Sequence, residues 1–228
     1  MTTLISLTVL GFLLGMRHAT DADHVIAVST IVTRQRTVRG AALIGAFWGL
    51  GHTLTLMAVG AAIVLCGLVI PPKVGMSMEF SVGLMLIILG LWNLKAFARS
   101  RNSVGQADFG GKLSGWFDAR FGGRRVYQNL RPFLVGIVHG LAGSAALALL
   151  VLTMIRNPYW AMAYLAVFGA GTIAGMMLIT AAIAWPFAFS MARSAALQGK
   201  LAIASGFLSL GFGVFMVCQI GFVDGLLT

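Results

Sequence analysis

The chain has 228 residues, 59% of them hydrophobic and only 10% charged, with a mean hydropathy of +0.93. A soluble domain carries about a quarter charged residues, so this composition excludes an ordinary globular protein and points to an all-α integral membrane protein, with residues 1–228 as a single membrane domain. The net charge of +10 sits in short loops between apolar runs; that distribution excludes a nucleic-acid surface and reads instead as a topology signal and as contact with membrane lipids.

Apolar segments fall near 3–32, 40–70, 79–98, 131–155, 159–190 and 200–222. Each approaches or exceeds the roughly 20 residues that cross a bilayer as helix, and none shows the period-two alternation of barrel strands. Six transmembrane helices are therefore expected. No cleavable signal is read at the start, where Met1–Thr3 lack a basic region.

The first segment contains the densest charge in the chain. Within "MRHATDADHV" (16–25), Arg17, His18, Asp21, Asp23 and His24 crowd together. The apolar stretches on either side, 3–16 and 25–32, are each too short to span a membrane. The segment therefore reads as one helix of about 45 Å, with the cluster near its middle. Each charge at bilayer depth costs about 2.5–3.5 kcal/mol, so the group must face protein or water and neutralise itself. That cost favours a functional site over a structural Arg–Asp–His network. Imidazole with carboxylate is a donor set for borderline divalent metals. On an ideal helix His18, Asp21 and His24 share an arc of about 120°. Asp23 points elsewhere, so either the helix is distorted or Asp23 supports a ligating histidine from behind. Arg17 is expected to pair with an aspartate in the empty site and to move when metal arrives.

The second segment carries His52 in "FWGLGHTLTL". A lone histidine in an apolar helix is ordinarily a hydrogen-bonded core residue. All four histidines here fall in apolar segments and none in a loop, which favours function for His52. In the third segment, Asn93 is expected to bridge helices or line a path, and Glu79 to sit at a helix entrance near solvent. The loop 99–130 is Gly-rich, basic and cytoplasmic, with "KLSGWFDARF" (112–121) as a short interfacial helix. His139, in "GIVHGLAGSAAL", reads equally as a ligand or as a packed, hydrogen-bonded residue. Met176 and Met177 read as core filler, Asp224 as a terminus in water, and Cys66 and Cys218 as buried free thiols.

The odd loops hold thirteen basic residues against two, Lys73 and Arg156, in the even ones. The odd loops are thus expected in the cytoplasm, with both termini outside. An internal repeat accompanies this. "FLLGMRH" (12–18) matches "FLVGIVH" (133–139) at an offset of 121, and "WGLGHT" (48–53) meets "FGAGTI" (168–173) at 120. Two halves of three helices each must enter from opposite faces, giving inverted repeats with a site near the midplane.

These residues resemble the nickel/cobalt transporter family. "RHATDADHV" is similar to its H-x4-D-H signature at His18, Asp23 and His24, with Asp21 also in the usual place. "FWGLGHT" resembles its second motif at Phe47, Gly51, His52 and Thr53, with one extra residue between Phe and Gly. The family's later acidic motif and its Gly-Met-x-x-x-Asp motif have no counterpart, since "GMMLIT" ends in Thr180. Six helices rather than eight place the chain nearer the short branch of urease-accessory or nickel-transport membrane proteins. The His-rich loop typical of related efflux proteins is absent, which favours uptake.

The resemblance implies a permease for Ni2+ or Co2+ in the cell membrane rather than an enzyme. Its metal residues would be His18, Asp21, Asp23, His24 and His52, with His139 as a further candidate and Arg17, Thr53 and Asn93 in support. The ion is substrate, no prosthetic group is implied, and nickel-enzyme maturation proteins are implied partners. From the residues alone, a membrane-embedded metalloenzyme and a proton or anion pathway remain open. Histidines ligate only when neutral, so metal uptake should weaken as pH falls through about 6.5. Radiometal uptake measured from pH 8 to 5 checks this, and a flat profile would exclude imidazole donors.

Overall fold

The computed structural model describes residues 2–33, 35, 37–102, 124–141, 155, 157–193 and 195–227. Among them there are helices and no strands. The helices are α1 (Thr2–His18), α2 (Ala22–Val32), α3 (Val38–Cys66), α4 (Pro72–Asn102), α5 (Arg124–Gly140), α6 (Pro158–Arg193) and α7 (Ala195–Cys218), the last running into a π-helical turn at Gln219–Val223. Among the described residues four helical stretches are long and apolar enough to cross a membrane: Val38–Cys66, Pro72–Ala98, Pro158–Phe189 and Gln198–Val223.

Helix boundaries follow from local chemistry. Thr37 caps α3 by accepting from the Gly40 amide at 3.1 Å, and Gly67 ends it at φ 62°, a left-handed conformation glycine adopts without strain. Proline opens both α4 and α6, where its missing N–H costs nothing. Asn157 caps α6, its Oδ1 accepting from the amides of Tyr159 and Trp160 at 2.9 and 3.4 Å.

Three expectations are corrected. Residues 3–32 do not form one helix: the chain breaks between His18 and Ala22. The fourth helical segment begins at Arg124 rather than 131, and its described part ends at Gly140. The segment "KLSGWFDARF" and residues 142–154 lie outside the described residues. Cys66 and Cys218 are unpaired, but both are exposed rather than buried.

Leu50 and Leu54 of α3, Ile88 of α4, Leu178 and Trp185 of α6 and Phe207 of α7 all face outward. The interior holds Thr55, Thr172, Thr180, Ser205 and Ser209 beside an apolar core around Trp48, Leu86 and Met176. This distribution, polar inside and apolar outside, suits a lipid solvent and identifies a helical membrane protein.

Glycine sets the helix spacing. A Cβ on Gly15 would collide with the Phe168 carbonyl, and one on Gly171 with that of Phe12, so α1 lies backbone-to-backbone on α6. Likewise Gly136 meets the Trp48 carbonyl and Gly51 that of Phe133, seating α5 on α3. The register gives direction. Gly11 faces Tyr164, Gly15 faces Phe168, and Gly175 faces Met16 and Ala19, so α1 runs parallel to α6. Gly51 faces Phe133 and Ile137, while Gly140 faces His52 and Thr55, so α5 runs parallel to α3. Gly45 meets Met176, Gly49 meets Ile173 and Thr53 meets Gly169, so α3 and α6 are antiparallel. A separate antiparallel pair, α4 and α7, closes through Gly83–Gly213 and Gly90–Leu210.

Overpacking a close helix contact costs about 1–3 kcal/mol. Gly51→Ala and Gly136→Ala should therefore lower the melting temperature of the detergent-solubilised protein by several degrees. Gly75→Ala, where a Cβ meets nothing within 4 Å, should leave it unchanged. Differential scanning fluorimetry reads all three, and an unaltered Gly136→Ala would contradict the close seam.

Candidate metal centre

The break in the first segment is made by short polar side chains that compete with the helix. Thr20 Oγ1 donates to the Arg17 carbonyl at 2.6 Å, while the amides of Thr20 and Asp21 bond to the carbonyls of Arg17 and His18 at 2.8 and 3.1 Å. Asp21 then takes an extended backbone (φ −58°, ψ 146°), and the helix resumes with the Val25 amide on the Asp21 carbonyl at 3.1 Å. The same i→i−3 turn recurs after α5, where the Leu141 amide bonds to the Val138 carbonyl at 3.2 Å. His18 thus closes α1, Asp23 and His24 open α2, His52 stands within α3, and His139 lies in the last turn of α5.

All four histidines converge. The His24 ring centre lies 4.7 Å from that of His18, 5.1 Å from His52 and 4.2 Å from His139. His24, His52 and His139 are at most 1% exposed. The carboxylates set the ring orientations. His18 Nδ1–H donates to Asp21 Oδ2 at 2.8 Å, and His24 Nδ1–H donates to Asp23 Oδ1 at 3.0 Å. Asp23 Oδ1 also accepts from the His24 amide at 2.9 Å, and its Oδ2 lies 3.2 Å from His139 Nε2. His139 Nε2 is also 3.2 Å from His24 Nδ1.

Because an ionised carboxylate only accepts, these bonds place the proton on Nδ1 of His18 and His24 and leave each Nε2 with a lone pair. His52 Nε2–H then donates to His18 Nε2 at 2.9 Å. Three ring nitrogens stay buried without a hydrogen-bond partner: His24 Nε2, His52 Nδ1 and His139 Nδ1. Buried polar atoms are normally paired; these nitrogens are free to act as donors to a metal ion. Two groups of donors have ligating atoms all within 4.8 Å of one another: His18, His24 and His52; and Asp23, His24 and His139. The carbonyl ends of α1 and α5 abut the cluster, and their partial negative charge favours a cation there.

Both alternatives left open for Asp23 are met: the helix is broken before it, and it stands behind His24. Asp23, placed off the shared face of an ideal helix, is buried between His24 and His139. Asp21, placed on that face, has a side chain 40% exposed and touches only the His18 edge of the cluster. Arg17 is exposed and makes no ion pair with an aspartate among the described residues. Thr53 Oγ1 turns from the cluster to donate to the Gly169 carbonyl at 3.3 Å. Asn93 bridges helices: its Nδ2 donates to the Ala202 carbonyl and to Ser205 Oγ, each at 3.1 Å.

Two aromatic walls were not singled out from the sequence. Trp48 stacks on His24 with ring centres 5.7 Å apart and meets His139 edge-on at 5.4 Å, while Phe168 lies 5.6 Å from His18. Trp48 and Phe168 open the matched stretches "WGLGHT" and "FGAGTI", so the repeat itself was the signal for both.

No family model and no solved structure matches the chain. It is 35% identical over 223 residues to the urease accessory protein UreH of Bacillus sp. (strain TB-90), covering 98% of this chain and 95% of that one. A likeness running through nearly the whole of both chains places this protein in the family of the urease accessory protein UreH, the short branch its motifs resemble.

Proposed function

We propose that the protein is a secondary permease that takes up Ni2+ or Co2+ through the histidine cluster. The observation that carries this reading is His24 Nε2, a lone pair buried in a membrane protein with no hydrogen-bond partner, in a donor group with His18 and His52. Leaving it empty has a cost that a bound cation removes. His18 Nε2 and His52 Nε2, 2.9 Å apart, are close to the separation of two nitrogens each held about 2.1 Å from one ion, which His52 can join once its proton moves to the unpartnered Nδ1. Asp21 and Asp23 act from behind, fixing the tautomers of His18 and His24 and offsetting the charge of a dication.

The chain would cross the membrane in six segments as one domain, the first of them the broken pair α1 and α2. The two halves are read as inverted repeats. α1 parallels α6, α6 opposes α3 and α3 parallels α5, so the matched helices α1 and α5 run in opposite directions and both end at the cluster. Discontinuous helices meeting at mid-membrane are a transporter arrangement. By the distribution of basic residues, the odd loops face the cytoplasm and both termini the outside of the cell membrane. The relative's name, urease accessory protein, supports delivery of the ion to nickel-enzyme maturation proteins.

Proteoliposomes loaded with chelator and given radiolabelled nickel or cobalt test the reading. Uptake by the wild type should fall at least about tenfold in His24→Ala and in His52→Ala, with zinc and manganese competing poorly; wild-type uptake in either variant would refute it. Asp21→Asn removes only the charge behind His18 and should weaken metal affinity by about 10–100-fold without abolishing it. Isothermal titration of the purified variant measures that loss.

A further inference from the structure

The histidine cluster is larger than one ion needs. Its two donor groups share a single residue, His24. The two nitrogens of that ring point in different directions, so no single ion is held by both. On one edge, Nδ1 lies 3.0 Å from Asp23 Oδ1 and 3.2 Å from His139 Nε2; on the other, Nε2 is unpartnered. The groups also differ in kind. His18, His24 and His52 offer three imidazoles, whereas Asp23, His24 and His139 offer two imidazoles and a carboxylate. They differ in origin too: His18 ends α1 and His139 ends α5, helices that approach from opposite sides.

We propose that the cluster is a pair of overlapping seats for one divalent cation, and that the ion crosses the protein by passing from one seat to the other over His24. This deepens the permease reading and rests on it. In the first seat the ion takes His24 Nε2 with His18 and His52, while Asp23 holds the proton on His24 Nδ1. In the second it takes His24 Nδ1 with His139 Nε2 and Asp23, which changes from a hydrogen-bond acceptor to a ligand. With the ion in the first seat the His52 proton sits on the unpartnered Nδ1; the exchange returns it to Nε2, where it donates to His18, moves the His24 proton from Nδ1 to Nε2, and moves that of His139 from Nε2 to the unpartnered Nδ1. Each ring keeps one proton, so none is gained or lost. Because the seats share a ring, filling one empties the other. The carboxylate is the one anionic donor in the two groups, so the ion's environment changes from all-nitrogen to mixed nitrogen and oxygen as it moves.

The test uses the full-length protein in lipid nanodiscs, with Co2+ as a visible-absorption probe and Ni2+ for X-ray absorption. Wild type should bind one ion per chain. His139→Ala and Asp23→Asn should still bind one, with affinity within about tenfold of wild type and an imidazole-dominated spectrum. (Asp23→Asn keeps an oxygen for His24 Nδ1.) His52→Ala should also bind one ion, with more oxygen in its shell. The double variant His52→Ala/His139→Ala should lose at least about a hundredfold in affinity. All three single variants should lose uptake in proteoliposomes, since each keeps only one seat. If His52→Ala and His139→Ala each lose binding as severely as the double variant, there is one seat built from all the donors. If His139→Ala and Asp23→Asn both bind and transport like wild type, the second seat does not exist. A wild type that binds in this pattern but moves no metal would leave the seats standing and overturn the permease reading instead.

Discussion

Hydrocarbon offers no partner to a carboxylate, and the interior of this protein is organised around that fact at Asp23. Its side chain is 9% exposed, accepts from the amide and ring of His24, and faces the His139 ring. Those donors come from the first turn of α2 and the last turn of α5, which are distant in sequence. Bringing them together requires the first segment to break and a helix from the other half of the chain to end at the same depth. Both conditions are met by short-range chemistry: the Thr20 hydroxyl and the extended Asp21 interrupt the first segment, and the i→i−3 turn at Leu141 follows the second.

What brings the pieces close enough is the absence of side chains. Membrane helices gain little from hiding apolar surface from one another, so their association depends on close contact. Gly136, about one turn before His139, and Gly140, directly after it, press α5 against Trp48, His52 and Thr55. Gly15 does the same for α1 one turn before His18, against Phe168 and Thr172. The short distances between imidazoles therefore reflect backbone spacing set elsewhere on the same helices.

Much of this was legible in the sequence. The apolar runs located α3, α4, α6 and α7 to within a turn or two of their ends, because hydropathy over twenty residues is a strong signal. The charge cluster, His52 and the offset of 121 between His18 and His139 were equally plain. The exchange of roles between Asp21 and Asp23 was not, because a helical wheel assumes a continuous helix. Once Asp21 turns extended, the phase beyond it resets, carrying Asp23 inward and leaving Asp21 at the rim. Arg17 was misjudged for a related reason: nearness in sequence to two aspartates does not survive the turn between them. His139 had two readings of equal weight from its own helix, and its place beside Asp23 comes from α5 lying on α3, a tertiary relation that composition does not encode.

The glycine seams cross between the halves of the chain. The first helix of each half lies on the middle of the other: α1 against α6, α5 against α3. A half by itself would leave one glycine-faced helix without the backbone it is shaped to meet. Two separate copies of one such half, inserted with opposite orientations, could supply each other's missing surface by trading first helices. On the inverted-repeat reading proposed above, the fused chain would have the architecture of a swapped dimer whose two subunits have become one polypeptide, and cutting it between α4 and α5 would yield fragments that need each other in order to fold.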